Sequence, residues 1–408
     1  MTGVGEKPAQ GAAPVDRPAQ GAAPDKPEPA PNTAERLKPL RERIDALDRQ
    51  VLELLAQRMA VVTEVAAAKR SGGARIRDFE REREVLDDRC ALARKLGLPE
   101  GPVESIYRQI MLAARDYQAS LGVGSPVRMV PRKVAVIGGA GQMGALLARI
   151  FRELGHEVAV ADVNTEVTPE QAAASAEVVV ISVPIQSTVA LIERLGPLVR
   201  EDALLLDVTS VKQAPLAAML RCSRASVVGT HPMFGPGVNS LQGQRVVVCP
   251  GRGEAWQGWL EQLLEARGLV VTRASAEEHD RAMALVQVLT HFQTQVLGWT
   301  LARTGMPLEQ SLRFTSPAYL MELYVCGRHF AQDPQLYGPI EMLNPDTALV
   351  TAAFQDAASE LRRILEARDQ AAFDRVFQEV RAFFGSFALE ATEQSSFMID
   401  RLIERSLG

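Results

Sequence analysis

Cysteine is scarce, four residues in 408. Cys90, Cys222, Cys249 and Cys326 stand far apart without C-x-x-C spacing, so neither a disulfide framework nor a zinc site is indicated. A surplus of basic charge is also missing. The net charge of -5 leaves no electrostatic footprint for nucleic acid. No apolar run approaches the length of a membrane span. Residues 1–33 lack the basic and apolar regions of a signal peptide. What remains is a cytoplasmic protein of ordinary apolar content, without metal, nucleic acid or membrane. Its length suits two or three domains with a large core.

The most informative stretch runs from Lys133 to Asp162. Val134 to Ile137 is a continuous apolar run and predicts a buried strand. Gly139-x-Gly141-x-x-Gly144 follows, and Met143, Leu146, Leu147, Ile150 and Leu154 recur at helical spacing. Glu157 to Ala161 predicts a second strand, ending on Asp162. This order is the fingerprint of a dinucleotide site. The first glycine permits a tight turn, the second a close approach of backbone to the pyrophosphate, and the third a close helix. The pyrophosphate is expected on the helix N-terminus. Gly139, Gly141, Gln142, Met143, Gly144 and Asp162 form the expected cofactor set. Asp162 suits a ribose 2′-hydroxyl and would repel a 2′-phosphate, so NAD is expected over NADP.

Around this core the chain divides by composition. Residues 1–33 repeat PAQGAAP and are expected to be a disordered tail. Residues 34–121 predict three helices: a long one to Arg70, closed by Ser71-Gly72-Gly73, then Asp78–Leu96 and Val103–Ser120. The long helix exceeds the globular norm and calls for a partner helix, expected from a second subunit. Residues 122–131 read as a linker and 132–276 as the dinucleotide domain. Its further strands are expected at Val178–Val183, Leu204–Val208, Ser226–Gly229, Arg245–Cys249 and Leu269–Thr272. From 277 to 408 only helices are predicted, at Glu277–Thr304, Ser316–Ala331, Asp346–Ala367, Gln370–Phe384 and Phe387–Leu407. The first is apolar nearly all round and should be deeply buried.

One helix carries an anomaly. With residues about 100° apart, Arg58 and Lys69 fall on the apolar stripe of Leu40, Leu47, Leu54 and Val65, and Arg41 lies at its edge. Long cations can reach out of a core, but two on one buried stripe need counter-charge. No acid on the stripe supplies it, and a bound dianion would.

The stretch LRERIDALDRQVLELLAQRMAVVTEVAAAKR, with IRDFERERE after it, resembles the all-helical chorismate mutase domain, a dimer of three-helix chains. The resemblance implies that Arg41, Arg58, Lys69 and Arg81 are active-site cations, with Asp78, Glu82 and Gln118 beside them. It further implies that the first arginine reaches into the partner's site. Ala114 stands where that family often has a serine. The pericyclic rearrangement of chorismate needs no acid or base, only a pinned conformer and positive charge at the ether oxygen.

Thr230-His231-Pro232-Met233-Phe234-Gly235-Pro236 follows a predicted sheet strand, where open α/β sheets bind ligands. The motif alone leaves His231 open between a base and a structural histidine. GGAGQMG, ISVPI, DVTSVK, HPMFGP and GRHFAQDPQLY occur in the order seen in bifunctional chorismate mutase/prephenate dehydrogenases, which the chain resembles from about Ala34 onward. The resemblance implies a homodimer of multidomain α and α/β architecture: a helical mutase domain, a Rossmann-like doubly wound domain and a helical C-terminal dimerisation domain. It implies that prephenate is oxidatively decarboxylated with NAD+, with His231 as base on the ring hydroxyl. Ser210 would hydrogen-bond His231 and that hydroxyl, and Arg328 would bind a substrate carboxylate as a fork. Lys212 stays open between assisting and a solvated lysine. Thr290 departs from enteric members, which carry arginine there. His279 and His291 are candidates for supporting roles, and His156 and His329 read as surface. Two rivals remain: an arogenate or prephenate dehydrogenase whose mutase domain only binds or regulates, and a non-catalytic NAD-binding regulator.

Overall fold

The computed structural model describes residues 33–72, 78–121, 130–238 and 240–406. Residues 1–32 of the expected tail at 1–33, and most of the linker, lie outside these. The chain forms two compact units, residues 1–60 and 61–408. Helix α1 spans Thr33–Gly72, and its expected stripe is largely uncovered, with Leu40 50%, Leu47 59% and Leu54 62% exposed. Helices α2 (Phe79–Lys95) and α3 (Glu100–Ser120) follow within a residue or three of the predicted bounds. They pack on each other, and Arg115 on α3 pairs with Glu82 on α2.

The dinucleotide domain alternates strand and helix: β1 (Lys133–Ile137), α4 (Gln142–Glu153), β2 (Glu157–Ala161), α5 (Pro169–Ser175), β3 (Val178–Ile181), α6 (Ile185–Leu195), β4 (Leu204–Asp207), α7 (Gln213–Cys222), β5 (Ser226–Pro232), β6 (Arg245–Arg252), α8 (Glu254–Ala266) and β7 (Val270–Arg273). The strands form one sheet in the order β2-β1-β3-β4-β5-β6-β7. Strands β1 to β5 are mutually parallel; β6 reverses against β5, and β7 runs with β6. Every residue of β3 and β4 is buried, because helices cover both faces and leave no solvent side on which alternation could appear. Two apolar clusters result, one on each face of the sheet. One gathers Ala135, Val179, Leu205 and Val227; the other gathers Val136, Val180, Leu206 and Val228. Each fully buried valine or leucine among them contributes about 1.5–3 kcal/mol. The strand order reverses between β1 and β3, and because these strands are parallel the C-terminal ends of β1, β3, β4 and β5 share the edge that carries the site.

The rest is helical, as predicted: α9 (Ala276–Met283), α10 (Thr290–Arg303), α11 (Leu308–Leu312), α12 (Pro317–Phe330), α13 (Pro334–Met342), α14 (Thr347–Ala367), α15 (Gln370–Phe384) and α16 (Phe387–Ser406). The first predicted helix is interrupted, because a π-helical turn, Ala284–Leu289, joins α9 to α10. Nor is it deeply buried. Leu285, Val286 and Trp299 are more than half exposed, although the run packs on α7, α12, α13 and α14.

Candidate active site

The glycine loop after β1 is built for close contact. Gly138, one residue before the triplet, takes the positive φ of 81°, so the tight turn falls there and not at Gly139 as expected. A Cβ on Gly138 would lie 2.2 Å from the Ser182 carbonyl oxygen. On Gly144 it would lie 2.3 Å from the Gly138 carbonyl oxygen, which is why α4 can start directly against the loop. Gln142 opens α4, Met143 follows, and Gly141 caps it without a side-chain hydrogen bond. The helix N–H groups are therefore left for a ligand. Asp162, at the end of β2, accepts from the Ala140 N–H at 3.0 Å and the Val163 N–H at 2.8 Å. This backbone cradle, with a carboxylate at its rim, fits a dinucleotide. A cleft of about 490 Å³ runs from Gln142, Ala145, Leu146 and Arg149 to Pro236, which ends the HPMFGP motif, and Gly237.

His231 lies near the end of β5 and is 3% exposed. Its Nδ1 is 2.8 Å from His279 Nε2, and His279 Nδ1 is 2.7 Å from Asp280 Oδ1. Asp280 also accepts the backbone N–H groups of Lys212 (2.7 Å) and Gln213 (2.9 Å) at the start of α7. Burial works to raise its carboxyl, but the bonds from His279, Gln213 and Lys212 outweigh it and hold the group below its usual range. The ionised carboxylate makes His279 Nδ1 the donor. His279 Nε2 then accepts, His231 Nδ1 donates, and His231 Nε2 keeps a free lone pair. Burial, then the neighbouring His279 and Lys212, push the His231 imidazolium well below its ordinary pKa. The ring is thus a neutral base at neutral pH, aimed by a fixed tautomer. Asp280 was not legible as a site residue. Its one sequence signal is an adjacent His-Asp pair at the head of the first helix after the sheet.

Lys212, His156 and His329 are buried where exposure was open or expected. Lys212 is neither solvated nor at the substrate surface: it is fully buried, and its ammonium bonds Asp207, Thr209 Oγ1 and the Thr230 carbonyl. A buried ammonium needs such partners, and these anchor the strand residue next to His231. Ser210 is half-buried, and in the free chain the partner that hydrogen-bonds the base is His279. His156 and His329 are buried, not surface. His156 accepts from the Arg132 N–H at 3.1 Å and packs edge-on against Phe151 and Trp259, which carries the chain into β1. His329 stacks on Tyr337 at 4.0 Å.

On α12, Arg328 is exposed. Its chain neighbour His329 joins His291, Tyr337, Gln295 and Glu341 in a polar cluster. Gln295 bridges His329 and Glu341 at 3.2 and 2.7 Å. Burial, and secondly His329, lowers His291 to about 4, whereas burial raises Glu341. Thr290, with no positive charge to offer, directs its hydroxyl to the Leu285 carbonyl at 3.4 Å.

The expected mutase residues are described unit by unit. In the first, Arg41 is exposed, and Arg58 is half-buried with Nη1 unpartnered among the described residues. In the second, Lys69 is half-buried. Asp78 caps α2 by accepting from the Arg81 N–H at 3.0 Å, while the Arg81 guanidinium bonds Glu84 at 2.9 Å. Glu82 is taken by Arg115. Gln118 is buried, donates to the Ala114 carbonyl at 3.3 Å, and keeps Oε1 unpartnered. Arg58 Nη1 in the first unit and Gln118 Oε1 in the second are each buried without a hydrogen-bond partner among the described residues.

Three family models match the chain: chorismate mutase type II over residues 40–119, the nucleotide-binding domain of prephenate dehydrogenase over 151–273, and its dimerization domain over 275–379. The T-protein of Haemophilus influenzae is 34% identical over 374 residues, 92% of this chain and 99% of its own. The T-protein of Enterobacter agglomerans is 39% identical over 353 residues, 86% of this chain and 94% of its own. Among solved structures, prephenate dehydrogenase from Aquifex aeolicus, in complex with hydroxyphenyl propionate and NAD+, gives a TM-score of 0.51 at 20% identity. It covers 62% of this chain and 97% of that one, and it bears on the fold.

Proposed function

The chain belongs to the T-protein family of tyrosine biosynthesis and is a chorismate mutase and an NAD-dependent prephenate dehydrogenase; we propose which of its residues perform each reaction. In the dehydrogenase, His231 is the base and takes the ring hydroxyl proton on Nε2. His279 and Asp280 hold its tautomer. NAD+, when bound, supplies the hydride acceptor. The glycine loop and Asp162 hold the cofactor, and Arg328 takes a substrate carboxylate. Losing a hydride and CO2 makes the substrate ring aromatic, so the protein's tasks are orientation and removal of one proton. The observation that carries this reading is the continuous set of bonds from Asp280 to His279 to His231, which leaves one buried nitrogen basic.

In the mutase, Arg41, Arg58, Lys69, Arg81 and Gln118 hold the chorismate dianion and place positive charge on its ether oxygen. The Asp78 and Glu82 side chains support α2 and the Arg115 contact. The domains run 34–121, 132–276 and 277–408. The working unit is a homodimer, a reading supported by the uncovered apolar stripe of α1 and by Phe383 and Leu389, each at least 79% exposed. A cytoplasmic location agrees with four free cysteines.

His231→Asn tests the base. We expect prephenate oxidation to fall at least about 10²-fold while chorismate consumption persists, both followed by absorbance. Oxidation near the unmodified rate in that variant would remove His231 from the role.

A further inference from the structure

The π-helical turn at Ala284–Leu289 is a break in hydrogen-bond register of the kind that recurs at functional sites. Here it delivers one side chain. Gln287 Nε2 lies 3.4 Å from His231 Nε2, the nitrogen left basic by His279. Because that nitrogen can only accept, the amide presents its N–H to it. The other end of the amide, Oε1, is buried without a partner among the described residues. The contact to His231 is long for an N–H···N bond. The free protein therefore holds a polar group at the base without satisfying it, although leaving a buried acceptor unpaired costs about 1–3 kcal/mol.

We propose that Gln287 is a second ligand of the substrate's ring hydroxyl. It covers His231 Nε2 in the free enzyme and moves onto the hydroxyl oxygen when the substrate displaces it. This rests on the reading of His231 as base. A hydroxyl has one proton to give and lone pairs to accept with. The proton goes to His231 Nε2 and a lone pair accepts from Gln287 Nε2–H. As the O–H bond breaks, its electron pair becomes the second C–O bond, and the C–H pair leaves as hydride to the oxidant that the reaction already uses. The oxygen carries most negative charge while its proton is in flight, so a donor placed there favours the transition state over the bound substrate. Ser210 makes no hydrogen bond to the base among the described residues, whereas the Gln287 amide stands 3.4 Å from it.

The test uses Gln287→Ala and Gln287→Glu in the full chain, with the pH profile of kcat/KM for prephenate and the thermal midpoint of each variant. The charged and titratable groups facing His231 are His279, backed by Asp280, and Lys212, backed by Asp207; neither substitution alters them. For Gln287→Ala we expect kcat to drop at least about tenfold through loss of one transition-state donor. The acid limb should also move to higher pH, because the donor that favoured neutral imidazole is gone. For Gln287→Glu the limb should move up further, by about one pH unit or more, because a carboxylate beside the ring favours imidazolium. A variant with unchanged melting, kcat within twofold and an unmoved limb overturns the proposal. So does a loss of kcat with an unmoved limb, which is what a merely structural residue would give. If the alanine variant does not fold, the near-isosteric Gln287→Glu decides alone. Retained turnover in His231→Asn would instead strike the base assignment on which this stands.

Discussion

Replacing Asp280 by asparagine asks whether a carboxylate two residues removed from the chemistry sets the proton position on the base. Oδ1 receives the His279 Nδ1–H and the Lys212 N–H, both at 2.7 Å, and Oδ2 receives the Gln213 N–H at 2.9 Å. Asparagine has one oxygen for these two places. With its oxygen toward His279, its NH2 meets the Gln213 N–H, and a donor faces a donor at a cost of about 1–3 kcal/mol. Turned round, its NH2 meets the Lys212 N–H, an equal clash of donors, and also His279 Nδ1, which must then accept. His279 Nε2 then carries the hydrogen and donates it to His231 Nδ1. The His231 proton moves to Nε2, the atom that should receive the substrate's. The Ser-His-Asp arrangement of serine proteases loses about 10⁴-fold in turnover through the same exchange and the same tautomer error. For Asp280→Asn we expect at least about 10² in kcat, or roughly 2.7 kcal/mol, measured as NADH formed from prephenate. The KM for NAD+ should stay close to that of the unmodified chain, since the glycine loop lies on other strands. Turnover within threefold of the unmodified enzyme, in a variant that melts normally, would refute the relay.

Two further outcomes follow from the geometry. Asp162→Ser should relax the preference for NAD+ over NADP+, because the carboxylate at the rim of the glycine loop is what repels a 2′-phosphate; equal kcat/KM for both cofactors in the unmodified enzyme would contradict this. Arg41→Ala and Lys69→Ala should each nearly abolish chorismate rearrangement, and refolding the two together should restore part of it, because one site of a mixed dimer then carries neither lesion. Mixed dimers proven by tag pull-down yet as inactive as their parents would exclude a site shared between protomers.

The sequence by itself determined the layout of the protein, because its signals are local. The run Val134–Ile137, the glycine triplet and the strand ending on Asp162 follow from chain geometry within one strand–turn–helix unit, and β2 begins and ends where the pattern put it. Capping and apolar period likewise located α15 to the residue. Short helices without a full apolar period, α11 and α13, were not legible. The positive φ at Gly138 was also missed, since the residue is set by the approach of β3 through Ser182.

Only the tertiary structure decided the electrostatics. A lysine in DVTSVK looks the same in sequence whether it meets water or, as here, Asp207 and the Thr230 carbonyl. His279 and Asp280 stand 48 and 49 residues beyond His231, and nothing in their spacing says that α9 folds back against the end of β5. Gln287 arrives by one turn of π-helix whose register no pattern announces. Burial and the identity of a distant neighbour set a proton's position, and both are properties of packing that a linear pattern does not contain.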